Sequence, residues 1–366
     1  MGLSCGIVGL PNVGKSTLFN ALTNAKVAAS NFPFCTIDPN VGIVKVPDVR
    51  LDEITKRIKP QKTIPAAMEF VDIAGIVKGA SKGEGLGNKF LANIRETSAI
   101  VHVVRCFDDP NVIHVDGSVD PLRDVSVIDT ELMLADLEAV TKRFPVVEKA
   151  AAKDPKTHGK QAEVLKKVKA ALEAGTPIRA LKLEVEELAA IYDLHLMTTK
   201  KVLYVANVDE NHVANPEESP LYVRLKDYAD KEKSGIVSIC GKIEAELVEL
   251  EGPDKKEMLE SLGLKEDGLS RLIREAYKLL GLCTYFTAGE QEVRAWTFHE
   301  GWKAPQTAGV IHTDFEKGFI KAEVFHYDDL VKYGTEAEIK AKGLFRLEGK
   351  EYVVRDGDIM HFRFNV

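Results

Sequence analysis

Residues 9–16 read GLPNVGKS and fill every fixed position of the phosphate-loop pattern Gly-x-x-x-x-Gly-Lys-Ser/Thr. The context agrees with the match. The apolar run LSCGIVGL (3–10) precedes it as a strand, and STLFNALTNA opens a helix after it. Glycines let the backbone turn tightly so that successive N–H groups point at phosphate oxygens, and the helix N-terminus adds its positive end. Lys15 is placed to reach the β- and γ-phosphates, and Ser16 to hold Mg²⁺.

Working outward, further β-type runs follow: VGIVKV (41–46), AMEFVDI (67–73), AIVHVVR (99–105), KVLYVANV (201–208) and GIVSIC (235–240). Such runs, mostly separated by helical stretches, predict an α/β domain with a largely parallel sheet covered on both faces. The interruption at roughly 131–196 is helical in its spacing, as in VLKKVKAALEA and LEVEELAAIYDLHL. DPKTHGK (154–160) brings Pro and Gly into that pattern and predicts the tip of a hairpin between antiparallel helices. After about residue 281 the runs EVRAWTF, KAEVFHY and YVVRDGDIMHFRF alternate apolar and polar residues, with Asp356-Gly357 as a turn signal. The expected division is therefore 1–130 and 197–281 for the nucleotide-binding domain, 131–196 for the helical insert, and 282–366 for a small α+β module.

Composition limits the remaining classes. With a net charge of −7 over 366 residues, indiscriminate nucleic-acid binding is disfavoured, and no apolar run approaches a membrane span. The first residues carry no signal-peptide pattern, so the expected location is cytoplasmic, with neither membrane nor DNA as partner. The five cysteines form no Cys-x-x-Cys pair and suggest buried thiols, Cys35 being the one placed in a loop.

Asp72-Ile-Ala-Gly75 ends the run at 67–73. A carboxylate there can position Mg²⁺, and the Gly75 N–H can sense the γ-phosphate. Thr36, in NFPFCTIDPN, is the candidate switch threonine over Mg²⁺. Residues 75–91 hold five glycines, the composition of a loop that nucleotide contacts would order. Ile76 occupies the place of the glutamine that orients water in Ras-type enzymes, so catalysis needs other groups. Asn12 is a candidate ligand for a monovalent cation beside the phosphates. His114, in DDPNVIHVDG, is a candidate to position water, against the plainer reading of a surface loop histidine.

The base is read from NVDE (207–210), which stands where a guanine-binding protein carries Asn-Lys-x-Asp. Glu210 adds one methylene to the acid that would grip guanine N1–H and the 2-amino group, and bidentate base recognition contributes about 1–3 kcal/mol. Val208 replaces the lysine that covers the purine. The Asn207 amide is expected to be free to pair with adenine N6–H and N7. ATP is the expected nucleotide, with GTP weaker.

Residues 9–16, 36, 72–91 and 207–210 together resemble the YchF family of Obg-like P-loop ATPases. The likeness spans essentially the whole chain. It implies a P-loop NTPase domain with a helical-hairpin insert and a C-terminal β-grasp domain similar to a TGS domain. It further implies a translation-associated ATPase that binds ribosomes and is stimulated by K⁺. Asn12, Val13, Gly14, Lys15, Ser16 and Thr17 would contact nucleotide, Ser16 and Thr36 the Mg²⁺, and Val208 the base. Ile76 fits the family's hydrophobic substitution, and His114 lies in a loop linked there to hydrolysis. CGKIE (240–244) departs from the usual Ser-Ala-Lys base loop. Between Lys142 and Lys169, nine basic residues face three acids, which fits either a solvated helical face or a phosphate-binding tip for ribosomal RNA. The alternative to an enzyme is a nucleotide-gated adaptor in which hydrolysis is incidental.

Overall fold

A computed structural model describes residues 3–24, 40–73, 86–115 and 117–365. Among these, β1 (Ser4–Val8), β2 (Val41–Lys45), β3 (Lys62–Ile64), β4 (Ala67–Asp72), β5 (Ala99–Arg105), β6 (Val202–Asn207) and β7 (Gly235–Ile239) precede five strands at the C-terminal end. All but β3 form one sheet in the order β2-β4-β1-β5-β6-β7. From β4 to β7 the pairs are parallel. β2 runs against β4, with the Asp72 N–H donating to Asn40 O and the Val46 N–H to Ala66 O. β5 is buried at all seven positions, as a central parallel strand covered on both faces must be.

In chain order, the helices up to residue 279 are α1 (Lys15–Asn24), α2 (Val49–Ile58), α3 (Leu86–Glu96), α4 (Pro121–Lys153), α5 (Pro155–Glu173), α6 (Val185–Ala190), α7 (Pro220–Glu232), α8 (Gly241–Val248), α9 (Gly252–Ser261) and α10 (Gly268–Leu279). The inserted hairpin differs from its predicted outline. α4 begins at Pro121, ten residues before the expected boundary at 131, because Asp120 caps it by accepting from the Leu122 and Arg123 N–H groups and Pro121 suits the first turn. Its end is also sharper than predicted. Asp154 alone separates α4 from α5, closing one helix and capping the next through the Thr157 N–H. Pro155 therefore starts a helix, and Gly159 lies inside it. Val140, Val147, Val164, Leu165, Val168 and Leu172 fill the seam between the two helices. Each buried aliphatic side chain contributes about 1.5–3 kcal/mol.

At the root of the hairpin, Arg179 donates to Asp129 of α4 at 2.7 Å and to Glu232 of α7 at 3.0 Å. Tyr204 of β6 donates to Glu232 at 2.8 Å. All four groups are largely withdrawn from water, so the cation is needed to hold both carboxylates there.

The chain groups into two compact units, Met1–Ile43 with Glu69–Ala276, and Val44–Met68 with Tyr277–Val366. The sequence division had placed residues 44–68 with the nucleotide-binding domain. β3 explains the difference, because it pairs in parallel with β9 (Glu292–His299), Lys62 opposite Glu292. The second unit's sheet also contains β8 (Leu282–Ala288), β10 (Phe319–His326), β11 (Arg346–Glu348) and β12 (Asp358–Phe364), in the order β11-β10-β12-β8-β9-β3. Its first and last native strands, β8 and β12, lie side by side in parallel, with antiparallel partners beyond each. Tyr285, Phe298, Phe319, Val324 and Met360 form its core with Ala304 and Ala308 of α11 (Ala304–Ile311). Among the described residues, no helix is long and apolar enough to cross a membrane.

Candidate nucleotide site

The phosphate loop lies between β1 and α1, at the carboxyl ends of β1, β4, β5 and β6. Two residues carry the loop through positive φ: Asn12 at 63° and Gly14 at 92°. Gly14 has a second constraint, because a Cβ there would meet Asn207 Nδ2 at 2.2 Å. Asn12 tolerates its geometry as Asn commonly does, and its Nδ2 donates to Ile113 O at 3.1 Å. Lys15 begins α1, is buried, and its ammonium pairs directly with the Asp72 carboxylate at the end of β4. Ser16 and Thr17 stay exposed at the N-terminus of that helix, where unpaired N–H groups favour anions.

These residues line a cavity of about 1290 Å³. Asn12, Gly14, Lys15, Ser16, Thr17 and Asp72 form one end, and Asn207, Val208, Glu210, Gly241 and Lys242 the other. Val13 is buried beneath and supplies its carbonyl rather than its side chain. Thr36 and Gly75 lie outside the described residues, as do Ile76 and Cys35.

The structure gives Asn207 a structural role that the sequence did not suggest. Its amide is engaged by the protein through one N–H and one lone pair of its oxygen. Nδ2 donates to Val13 O at 2.9 Å, and Oδ1 accepts from the Gly241 N–H at 3.0 Å. The side chain is 8% exposed and joins the phosphate loop to the start of α8. Val208 is likewise tied in, its N–H donating to Ile239 O at 2.8 Å, while it still lines the cavity. Asp209 caps its own short turn, accepting from the Asn211 and His212 N–H groups. Glu210 pairs with the Lys242 ammonium, which pushes the lysine pKa upward.

His114 also departs from expectation. It is buried, its Nε2 is 2.8 Å from Asp124 Oδ2 in the first turn of α4, and it is not among the residues lining the cavity. Sequence reasoning missed two supports nearby. Arg105, fully buried at the end of β5, donates to the carbonyls of Phe107, Asp109 and Val112 and so shapes the loop that lines the cavity. Its signal was a charge ending an otherwise apolar run. Lys242 is the other, and its signal was a lysine in the departing CGKIE segment.

The described cysteines are Cys5, Cys106, Cys240 and Cys283, all free; burial pushes Cys5 and Cys106 up to about 12. No cluster of three or more metal-ligating side chains of the His, Cys, Asp or Glu type occurs among the described residues.

Residues 4–147 match the family model described as "50S ribosome-binding GTPase", and residues 282–365 match the YchF-GTPase_C model, described as a protein of unknown function. The chain is 56% identical to the ribosome-binding ATPase YchF of Bacillus subtilis (strain 168), over the whole of both chains. The chain belongs to the YchF family. It is 54% identical to the YchF of Escherichia coli O157:H7, again end to end. A solved structure of the Schizosaccharomyces pombe YchF GTPase, 40% identical, superposes with a TM-score of 0.88 and covers 99% of this chain and 98% of that one. The YchF fold thus includes both units described above. The names of these relatives differ on the base, ATPase for the bacterial proteins and GTPase for the yeast one.

Proposed function

We propose that this chain is a Mg²⁺-dependent nucleotide hydrolase, preferring ATP to GTP, that acts as a ribosome-associated switch in the cytoplasm. The observation that carries the phosphate chemistry is the Lys15–Asp72 pair beneath the loop. The pair keeps a buried cation and a half-buried acid in register until phosphate and metal take their places. Ser16 and Asp72 offer the hard oxygen donors that suit Mg²⁺, Asp72 already accepts a cation in Lys15, and Thr36 is proposed to complete the set. When bound, the metal neutralises charge on the phosphate oxygens. Lys15 holds the phosphates, the N–H groups from Val13 to Thr17 surround the anion, and the Gly75 N–H is the proposed sensor of the γ-phosphate. Asn12 keeps its Oδ1 as a donor for K⁺, since Nδ2 is occupied by Ile113 O.

The adenine preference is supported by Glu210, whose carboxylate is drawn onto Lys242 and away from the role guanine would need. Val208 supplies the apolar base contact. Ribosome association follows the names of the relatives. Five of the nine basic residues counted in the hairpin, Lys142, Arg143, Lys160, Lys167 and Lys169, are paired with acids. Of the other four, Lys149, Lys153 and Lys156 stand nearest the Asp154 tip in sequence and are the proposed contacts for ribosomal RNA, with Lys166 farther along α5. We read the second unit as a TGS-type β-grasp domain, on its parallel central pair β8–β12 and its helix α11.

A second reading, the nucleotide-gated adaptor with incidental hydrolysis, is favoured by His114 being held by Asp124 outside the cavity. Steady-state kinetics with ATP and GTP, with and without ribosomes and K⁺, tests the enzyme reading. A GTP preference beyond about tenfold, some 1.4 kcal/mol, overturns the base assignment.

A further inference from the structure

The fate of the Glu210 carboxylate depends on a residue in another element. Glu210 opens the short turn Glu210–His212, and Lys242 is the second residue of α8; both line the base end of the cavity. Their ammonium and carboxylate are in direct contact, with side chains 71% and 50% exposed. An exposed pair of this kind adds little to stability. It does fix where the carboxylate points. The backbone around Lys242 is itself held, because the preceding Gly241 N–H is bonded to the buried Asn207 amide. Asp209 is engaged within its own turn, where its Oδ1 accepts from the Asn211 and His212 N–H groups and both its oxygens lie 2.8 Å from His212 Nδ1.

We propose that Lys242 is a specificity-determining residue: by holding Glu210, it denies guanine the acceptor that this carboxylate would otherwise offer. The inference rests on the adenine preference proposed above. Guanine presents two donors on that edge, N1–H and the 2-amino group, which a released carboxylate would accept. Adenine presents the N1 acceptor there, which the same carboxylate repels. Glu246 of α8 and Glu249, which follows its last residue, also line the cavity, so a freed Glu210 has an added reason to seek donors. Releasing Glu210 therefore favours guanine over adenine, while the lost positive charge weakens both nucleotides alike and cancels in their ratio.

The test is titration calorimetry of ADP and GDP, with Mg²⁺, on the full chain and on Lys242→Met, Lys242→Arg, Glu210→Ala and the double variant Glu210→Ala/Lys242→Met. In Lys242→Met, the GDP-to-ADP affinity ratio is expected to rise roughly three- to fivefold, the upper part of what one exposed ion pair supplies. Lys242→Arg keeps the pair and the original ratio. In the Glu210→Ala background, the Lys242 substitution should leave the ratio unchanged. A ratio within twofold of the parent in Lys242→Met overturns the proposal, as does an equal shift with Glu210 absent. If the parent chain itself binds GDP as tightly as ADP, the adenine preference fails, and the shift caused by Lys242 is still read independently.

Discussion

Asn207 donates to the carbonyl of Val13 at 2.9 Å, so the residue that ends β6 holds the crown of the phosphate loop. Its Oδ1 reaches the Gly241 N–H in the same stroke. Asn207→Ala leaves two buried backbone groups without partners, at about 1–3 kcal/mol each. Affinities for ADP and GDP should fall together, within twofold of each other, in parallel calorimetric titrations. A loss confined to ADP would return Asn207 to the role of base reader.

Gly14→Ala is expected to be more damaging than a methyl group suggests. The position has φ of 92°, and the new Cβ would lie 2.2 Å from Asn207 Nδ2, which is pinned on both sides. Melting temperature should drop and ADP affinity should fall by more than about tenfold, since strain at positive φ and a clash combine. Unchanged ADP binding would show that the loop can shift freely around this residue.

With His114 as the residue that positions water, His114→Ala lowers kcat by roughly a hundredfold, the lower range for such groups. ADP affinity should stay near that of the parent, because His114 does not line the cavity. Phosphate-release assays alongside ADP titration separate the two effects. Turnover within threefold of the parent would leave His114 as a support for its loop through Asp124.

Glu244, on α8, is buried and accepts from the Gly268 and Leu269 N–H groups at the start of α10. Burial raises its carboxyl from the usual 4.5 to about 7. Between those values the folded chain holds a proton that the unfolded chain has released, so this group's contribution to stability falls as pH rises. The slope amounts to a total on the order of 3 kcal/mol. Glu244→Gln should flatten it, seen as urea midpoints that change less from mildly acid to neutral pH. An identical slope in the variant would assign the dependence to other groups.

Arg179→Met removes the cation between Asp129 and Glu232. One buried and one largely buried carboxylate then lack their partner, which costs about 3–5 kcal/mol. A clear fall in melting temperature is expected, larger than for Lys142→Met, whose pair with Glu138 is exposed on the hairpin. Equal effects would mean that the Arg179 cluster is solvated in practice.

Much of the fold was legible because the parallel strands are continuous apolar runs; all six predicted stretches became strands of the first sheet. The phosphate loop and Asp72 were legible because their chemistry depends on local spacing, and Lys15 does meet Asp72. The job of Asn207 was not, because its partners stand 194 and 34 residues away. β3 was missed because three residues carry no period, and its partner strand begins at Glu292. At 154–160, Pro and Gly were read as breakers, whereas Pro is favoured in the first turn of a helix and the Asp154 cap favours a new start.

With a single residue between them, α4 and α5 have no slack at their junction. Thirty-three residues at 1.5 Å each make α4 a rod of about 50 Å. Asp124, which grips His114, lies in the rod's first turn. A tilt of only ten degrees at that end sweeps the far tip through roughly 9 Å. A displacement at the Asp124 end is thus amplified toward the tip, and Pro145, which interrupts the backbone ladder inside α4, is the place along the rod where part of it can be absorbed.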